Sequence, residues 1–249
     1  MHYLVCVDDT DMPGTKGTGW LVQEMCEHIE NNNMGTCHPI SRHQLFVHED
    51  VPYTSHNSSM CFELQLKQTK VGRVIDFAAD FLEKKSMQGS DPGLCVVQKN
   101  EQLNSDRLIA FGQSAKQQVL CKEQAYRLAK ESGIHLSEHG GTGDGVIGAL
   151  AGIGLRLQGE DGRYRGWYHL GLPGTAITVG ELCHYPFIDT VLTQSGSILA
   201  PDTPVCIGSE KIKTIRMRNQ QVVMVTENET TEENTPYYRT ITHREAKMY

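Results

Sequence analysis

Tyr3-Leu4-Val5-Cys6-Val7 runs directly into Asp8-Asp9-Thr10-Asp11, and Gly14-Thr15-Lys16-Gly17-Thr18-Gly19 follows. The apolar run reads as a short buried strand. Carboxylates this close together repel one another unless a cation or hydrogen-bond donors compensate them. Hard oxygen ligands at a strand end suit Mg2+, which keeps several waters and bridges to phosphates. A loop rich in Gly and Thr can aim backbone N–H groups at those phosphates. The opening therefore reads as a metal–nucleotide site, with Asp8, Asp9 and Asp11 as metal ligands and Thr10, Lys16 and Gly17 beside the nucleotide. Asp, Gly and Pro are also ordinary turn formers. It is the density of acids directly after an apolar strand that favours a site over a plain turn.

The chain has 249 residues, enough for one large domain or two small ones. Its formal net charge is −7, and its densest basic stretch is Lys211, Lys213, Arg216 and Arg218. That alternation reads as the solvent face of a strand, and the missing basic footprint argues against extensive nucleic-acid contact. Eight spread cysteines with no CxxC pair argue against a zinc ribbon and fit a reducing compartment. No apolar run approaches the length a bilayer needs, and the opening is too short for a signal peptide. The expectation is a cytoplasmic protein.

Helical periodicity runs from Gly17 to Asn31, from Val71 to Lys84, from Ser105 to Gln118 and from Lys122 to Ser132. Ser41 to Val47, Met60 to Leu66 and Leu94 to Val97 read as strands, with a polar loop from Val51 to Ser59. After about Gly159 the chain becomes turn-rich and β-leaning. Strands are expected over Val205–Ile207, Lys211–Arg216 and Val222–Val225, with a hairpin turn at Asn219-Gln220 and a mobile acidic tail from Thr226 to Asn234. His135 and His139 sit at an expected helix end, in exposed or capping roles, and Arg42, His43 and His48 flank a strand. The fold class is α/β (α+β), with a larger domain over 1–158 and a smaller β-rich one over 159–249.

A second glycine-rich segment, Gly140-Gly141-Thr142-Gly143-Asp144-Gly145-Val146-Ile147-Gly148, opens an apolar helical stretch. Such a start can hold an anion, because unpaired N–H groups and the helix dipole favour negative charge. It carries neither a Walker A ending nor a GxGxxG after a strand. Gly141, Gly143 and Gly145 read as site residues, and Gly152 and Gly154 as close packing.

Val7-Asp8-Asp9-Thr10-Asp11 with Thr18, Val51-Pro52-Tyr53 with its small polar residues, Asp91-Pro92-Gly93, and Gly143 to Ala151 are collinear with one another. In that order and spacing they resemble the archaeal tRNA-Ile 2-agmatinylcytidine synthetase family over about residues 1–155. The resemblance implies a kinase-like domain that binds ATP and Mg2+ and activates a tRNA cytidine for attack by agmatine. It implies Asp8, Asp9 and Asp11 as catalytic and metal-holding groups, and Thr18 where a threonine becomes phosphorylated. It places Gly143, Gly145 and Gly148 by the nucleotide, and a ferredoxin-like domain next along the chain. The family's arginine between the glycines is Asp144 here, its loop arginine is His56 and its loop lysine is Thr54, with Lys16 a candidate to compensate. No tRNA-binding OB fold or zinc ribbon is recognisable. The expected function is an ATP- and Mg2+-dependent phosphotransferase or ligase acting on a small molecule rather than tRNA. A catalytically reduced nucleotide-binding module is the alternative, favoured by Asp144. Asp9-Thr10-Asp11 also resembles the DxD of haloacid dehalogenase phosphatases, although Pro13 stands where Thr or Val is expected.

Overall fold

A strand's side chains alternate between faces, and the first strand carries apolar residues on both. In the computed structural model, which describes residues 1–51, 57–66, 70–228 and 236–249, β1 (His2–Asp8) is accordingly buried from Tyr3 onward. Tyr3, Val5 and Val7 join one core, and Leu4 and Cys6 join another on the opposite face. The chain forms two compact units, Met1–Gln158 and Gly159–Tyr249.

In the first unit β1 is followed by α1 (Thr18–Asn31), β2 (Gly35–Cys37), β3 (Ser41–Gln44), β4 (Ser58–Leu66) and α2 (Val71–Lys85). Then come β5 (Gly93–Gln98), α3 (Ser105–Ser114), α4 (Lys122–Ser132), β6 (His135–Glu138) and α5 (Gly145–Gln158). β1 lies between β4 and β5, β6 flanks β5, and β2 and β3 both pair with β4; every pairing is antiparallel. One sheet face packs on α1 and α2 through Val22, Met25, Ile29, Ala78 and Leu82. The other packs on α3, α4 and α5 through Leu108, Ala125, Val146, Leu150 and Ile153. This is a mixed α/β arrangement with helices on both faces of an antiparallel sheet.

α5 is apolar all round and buried from Gly145 to Arg156, apart from Ile147. Its glycines let neighbours approach. A Cβ on Gly152 would overlap Cys6 and Ser59, and one on Gly154 would overlap the Leu108 carbonyl of α3. Gly112 of α3 faces Ala151 and Leu155 in the same way, so α3 and α5 meet backbone to backbone.

The second unit contains β7 (Arg163–Tyr164), β8 (Ala176–Thr178), α6 (Val179–Cys183), β9 (Thr190–Thr193), β10 (Pro204–Cys206), β11 (Ile215–Met217), β12 (Gln220–Glu227) and β13 (Tyr238–Thr240). β12 is central, pairing with β11 and β13 antiparallel and with β9 parallel. Val191, Val205, Val223 and Val225 centre its core. Among the described residues no helix is long and apolar enough to cross a membrane.

Several local expectations change. His135 and His139 belong to β6 and its exit, not to a helix end: α4 stops at Gly133, whose φ of 64° is left-handed, and β6 then pairs with β5. The hairpin turns at Arg218-Asn219, one residue early, because both residues adopt positive φ. Of the expected 211–216 strand only Ile215 and Arg216 belong to β11, which runs on to Met217, as the Ile212 amide and carbonyl bond Tyr168 instead. α3 ends at Ser114, and the freed Ala115 carbonyl accepts from Phe46 N–H at 2.9 Å. Thr226 and Glu227 of the expected tail are strand; 229–235, and 52–56 of the polar loop, lie outside the described residues.

Candidate functional site

β1 delivers Asp8 at its last position, and the chain turns immediately. Asp9 has φ +52°, a left-handed backbone that Asp tolerates better than most residues. Thr10 is buried, and Thr18 opens α1 just after Gly17. The hydroxyl of Thr18 ties the turn together. It donates to Asp11 Oδ1 at 2.9 Å and accepts from Thr10 N–H at 3.3 Å and Thr10 Oγ1 at 3.2 Å.

These residues form one side of a cavity of about 330 Å³ within the first unit. Asp8, Asp9, Asp11 and Thr18 line it together with Asp50, Asn57, Ser58, Asp91, Asp144, Gly145 and Gly148. Leu45, Phe46, Val119, Leu120 and Ile147 supply an apolar portion. Lys122 is the one basic side chain among the described lining residues. Its ammonium bonds the Thr142 carbonyl and lies 3.4 Å from Glu138 Oε2.

So many acids around one cavity change their own ionisation. Burial, and then the charges of Asp9 and Asp11, push Asp8 up to about 8. Burial, and then Asp91, Asp11 and Asp144, push Asp9 up to about 6. Both carboxyls are driven toward the neutral form, first because burial disfavours their charged form and then because neighbouring carboxylates add negative charge. That is the donor chemistry of a hard divalent cation: all oxygen, mostly carboxylate, at a chain turn. Asp8, Asp9 and Asp11 share the cavity wall, but among the described residues their carboxylate oxygens do not all come within 4.8 Å of one another, so gathering one ion on all three would require them to draw together.

The glycine-rich segment divides. Gly145 and Gly148 line the cavity, and each is also a packing necessity. A Cβ on Gly148 would overlap the Asp8 carboxylate, and one on Gly145 would overlap the Asp91 carbonyl. Gly141 and Gly143 stand outside the lining, in a left-handed turn with φ of 55° and 80°. There the Asp91 carboxylate accepts from Thr142 N–H and, at 3.3 Å, from Gly143 N–H. The turn that sequence suggests for an external phosphate is thus closed on a carboxylate of the chain itself. Lys16 stands outside the lining too; its ammonium lies 3.4 Å from the Trp20 ring centroid, a cation–π contact. Thr10 and Gly17 stand outside the lining as well: Thr10 bonds the Thr18 hydroxyl, and a Cβ on Gly17 would stand 4.0 Å from Asp11 Oδ2.

Sequence reasoning does not place Asp50, Lys122 or Gln118, which also lines the cavity, here. Asp91 and Asp144 stand in the sequence as parts of motifs and not as partners of Asp9. The available signal was the turn Asp91-Pro92-Gly93: a Cβ on Gly93 would overlap the Gly145 backbone, so this turn must abut the start of α5. His43 is fully buried and lies 2.6 Å from Ser41 Oγ, packed in the fold.

No protein-family model and no curated protein matches the chain. Solved structures do. The complex of TiaS with its tRNA and ATP superposes with a TM-score of 0.55 at 21% identity, over 84% of this chain and 50% of that one. The complex of TiaS with its tRNA, AMPCPP and agmatine gives 0.54 at 19% identity, over 96% and 60%. A tRNA fluorescent labeling enzyme gives 0.53 at 25% identity, over 62% and 36%. TiaS is an agmatidine synthetase that acts on an isoleucine tRNA. At these identities the likeness is one of fold, and the chain spans between 36% and 60% of the length of these proteins.

Proposed function

We propose that residues 1–158 bind ATP with Mg2+ and act as the kinase-like part of a phosphotransferase or ligase whose acceptor is a small molecule rather than tRNA. The observation that carries this reading is the convergence of Asp8, Asp9 and Asp11 with Asp91 and Asp144 on one cavity, two of them lifted toward neutrality. The fold likeness to a protein solved with ATP and with agmatine supports the choice of ligand. A net charge of −7 supports a small acceptor over a nucleic acid.

Bound Mg2+ would neutralise carboxylate charge and polarise phosphate oxygens. Around it, this chain's residues do the rest. Asp8, Asp9 and Asp11 would hold the ion, which would draw their carboxylates together. Thr18, the first residue of α1, borders the cavity, where the start of a helix favours negative charge, and the ammonium of Lys122 borders it too. Leu45, Phe46 and Val119 give an apolar wall of the kind a base occupies. Thr18 is the candidate phosphoryl acceptor within the chain. Its hydroxyl already donates to Asp11, so attack by Oγ1 on the γ-phosphorus of ATP would break the bond to the bridging oxygen, release ADP and pass the hydroxyl proton to that carboxylate. Gly141 and Gly143 act indirectly, by fixing Asp91.

The alternative is a nucleotide-binding module without turnover. Asp144, among the charges that raise Asp9, is the observation that favours it, since it adds repulsion where phosphates would approach. The test is ATP titration by calorimetry with and without Mg2+, followed by intact mass. Mg2+-dependent binding with a phosphate-sized gain on Thr18 supports the enzyme, and binding without turnover supports the module. Asp9→Asn is expected to abolish Mg2+-dependent binding in a folded protein; ATP affinity unchanged in that variant overturns the site.

A further inference from the structure

We infer that this protein carries a second metal site, for a Zn2+-like divalent cation, built from His2, His38 and Glu63. One ligand atom from each lies within 4.8 Å of the others. The three come from separate parts of the first unit: the start of β1, the residue after β2, and the middle of β4.

Strand register brings them together. Leu4 pairs with Glu63 and His2 with Gln65, so His2 and Glu63 are diagonal neighbours on one face. His2 Nδ1 lies 2.7 Å from Glu63 Oε1. The His38 N–H donates to the Glu63 carbonyl at 2.8 Å, which ties the backbone of the third ligand to that of the second. Glu63 is itself oriented: Lys99 Nζ holds its other oxygen, Oε2, at 2.9 Å and leaves Oε1 toward the imidazoles. A carboxylate fixed by an outer partner is the arrangement that sharpens a metal site.

The donor set selects the metal. Two imidazoles with one carboxylate suit Zn2+ and its late first-row neighbours, whereas Mg2+ takes oxygen almost exclusively. The carboxylate cavity is the reverse case. The two are also far apart: six residue steps of strand lead from His2 to Asp8, roughly 20 Å at about 3.3 Å per residue. Both histidines are exposed and Glu63 is half-buried, so an ion can load from solvent, with water completing its coordination. Once bound, it would staple β1 to β4 and to the β2–β3 connection.

The experiment uses the full chain stripped with a chelator. Zn2+ is titrated by calorimetry, Co2+ is followed by its visible spectrum, and melting is recorded with and without Zn2+. The expected result is one Zn2+ per chain, a higher melting temperature with Zn2+, and at least a tenfold weaker affinity in both His38→Ala and Glu63→Gln. Far-UV circular dichroism confirms that the variants fold, and His2→Gln gives a third, independent reading at the same site. Cys121 and Cys183 are exposed thiols, and thiolate is a competing Zn2+ ligand. A Co2+ spectrum with thiolate charge-transfer bands, affinity unchanged in His38→Ala, or no Zn2+ binding each overturns the assignment.

Discussion

Replacing Asp8 by Asn reads the electrostatics of the cavity through the stability of the fold. Asp8 is 8% exposed, and burial followed by the Asp9 charge raises it from the ordinary aspartate value of 3.8 to about 8. Between those values the folded chain keeps a proton that the unfolded chain has released. Stability associated with Asp8 is therefore fully present below pH 3.8 and is lost as pH rises toward about 8. One proton of difference corresponds to about 1.4 kcal/mol per pH unit. From pH 5 to pH 7 the parent protein should lose as much as about 3 kcal/mol through this group, by the same linkage. Asn cannot ionise, so Asp8→Asn should gain on the parent by that amount over the two units. Urea unfolding by circular dichroism at several pH values, in chelator, measures the gap. Repeating the series in Mg2+ should shrink it, because a bound cation favours the charged form. A gap that is constant from pH 5 to pH 7, or that runs the other way, refutes the claim that Asp8 is buried without a compensating charge.

Gly148→Ala should push its methyl into the Asp8 carboxylate and toward Leu45 Cδ1, 3.0 Å away. About 1–3 kcal/mol of stability should go, as in other overpacked sites, and calorimetry should show weaker Mg2+-dependent ATP binding. Gly154→Ala meets the Leu108 carbonyl and Gly112 N, backbone on both sides, and should cost a similar amount in urea midpoint without such a direct route to Asp8. In the second unit, the hydrogen bond from Arg239 leads the causes that hold Glu245 down at about 2. The stability that pair contributes is present above 4.5 and lost as pH falls toward about 2. Glu245→Gln should therefore destabilise the protein at pH 6 and matter less at pH 3, read by thermal melting at both.

What could be read from sequence was what is local in the chain. β1 announces itself because its apolar residues serve both faces, and α5 because glycine and apolar residues alternate over a whole helix. Asp8, Asp9 and Asp11 were legible because they are consecutive with the strand that places them. β6 was not, since His-Leu-Ser-Glu has no helical or strand signal of its own, and only its register with β5 makes it extended. Asp91 and Asp144 illustrate the same limit at the site. Each sits in an ordinary turn, and their effect on Asp9 exists only because Gly93 and Gly145 let the two turns touch. Lys16 illustrates the reverse: its position near the acids suggested a phosphate contact, whereas the Trp20 ring one helical turn on takes its ammonium.

The glycines of α5 carry an evolutionary consequence. Gly145, Gly148, Gly152 and Gly154 meet, in turn, the Asp91 turn, the Asp8 carboxylate, the centre of the sheet and the adjoining helix. One rod thus gauges both the spacing of the acids and the thickness of the domain. Mutational drift along it cannot alter chemistry without altering folding, so lineages would find little freedom there. Novelty in ligand preference has an easier path through the segments around Phe46 and Val119, which border the same cavity from loops. Diversification should be concentrated in those rims, around a hub that cannot change.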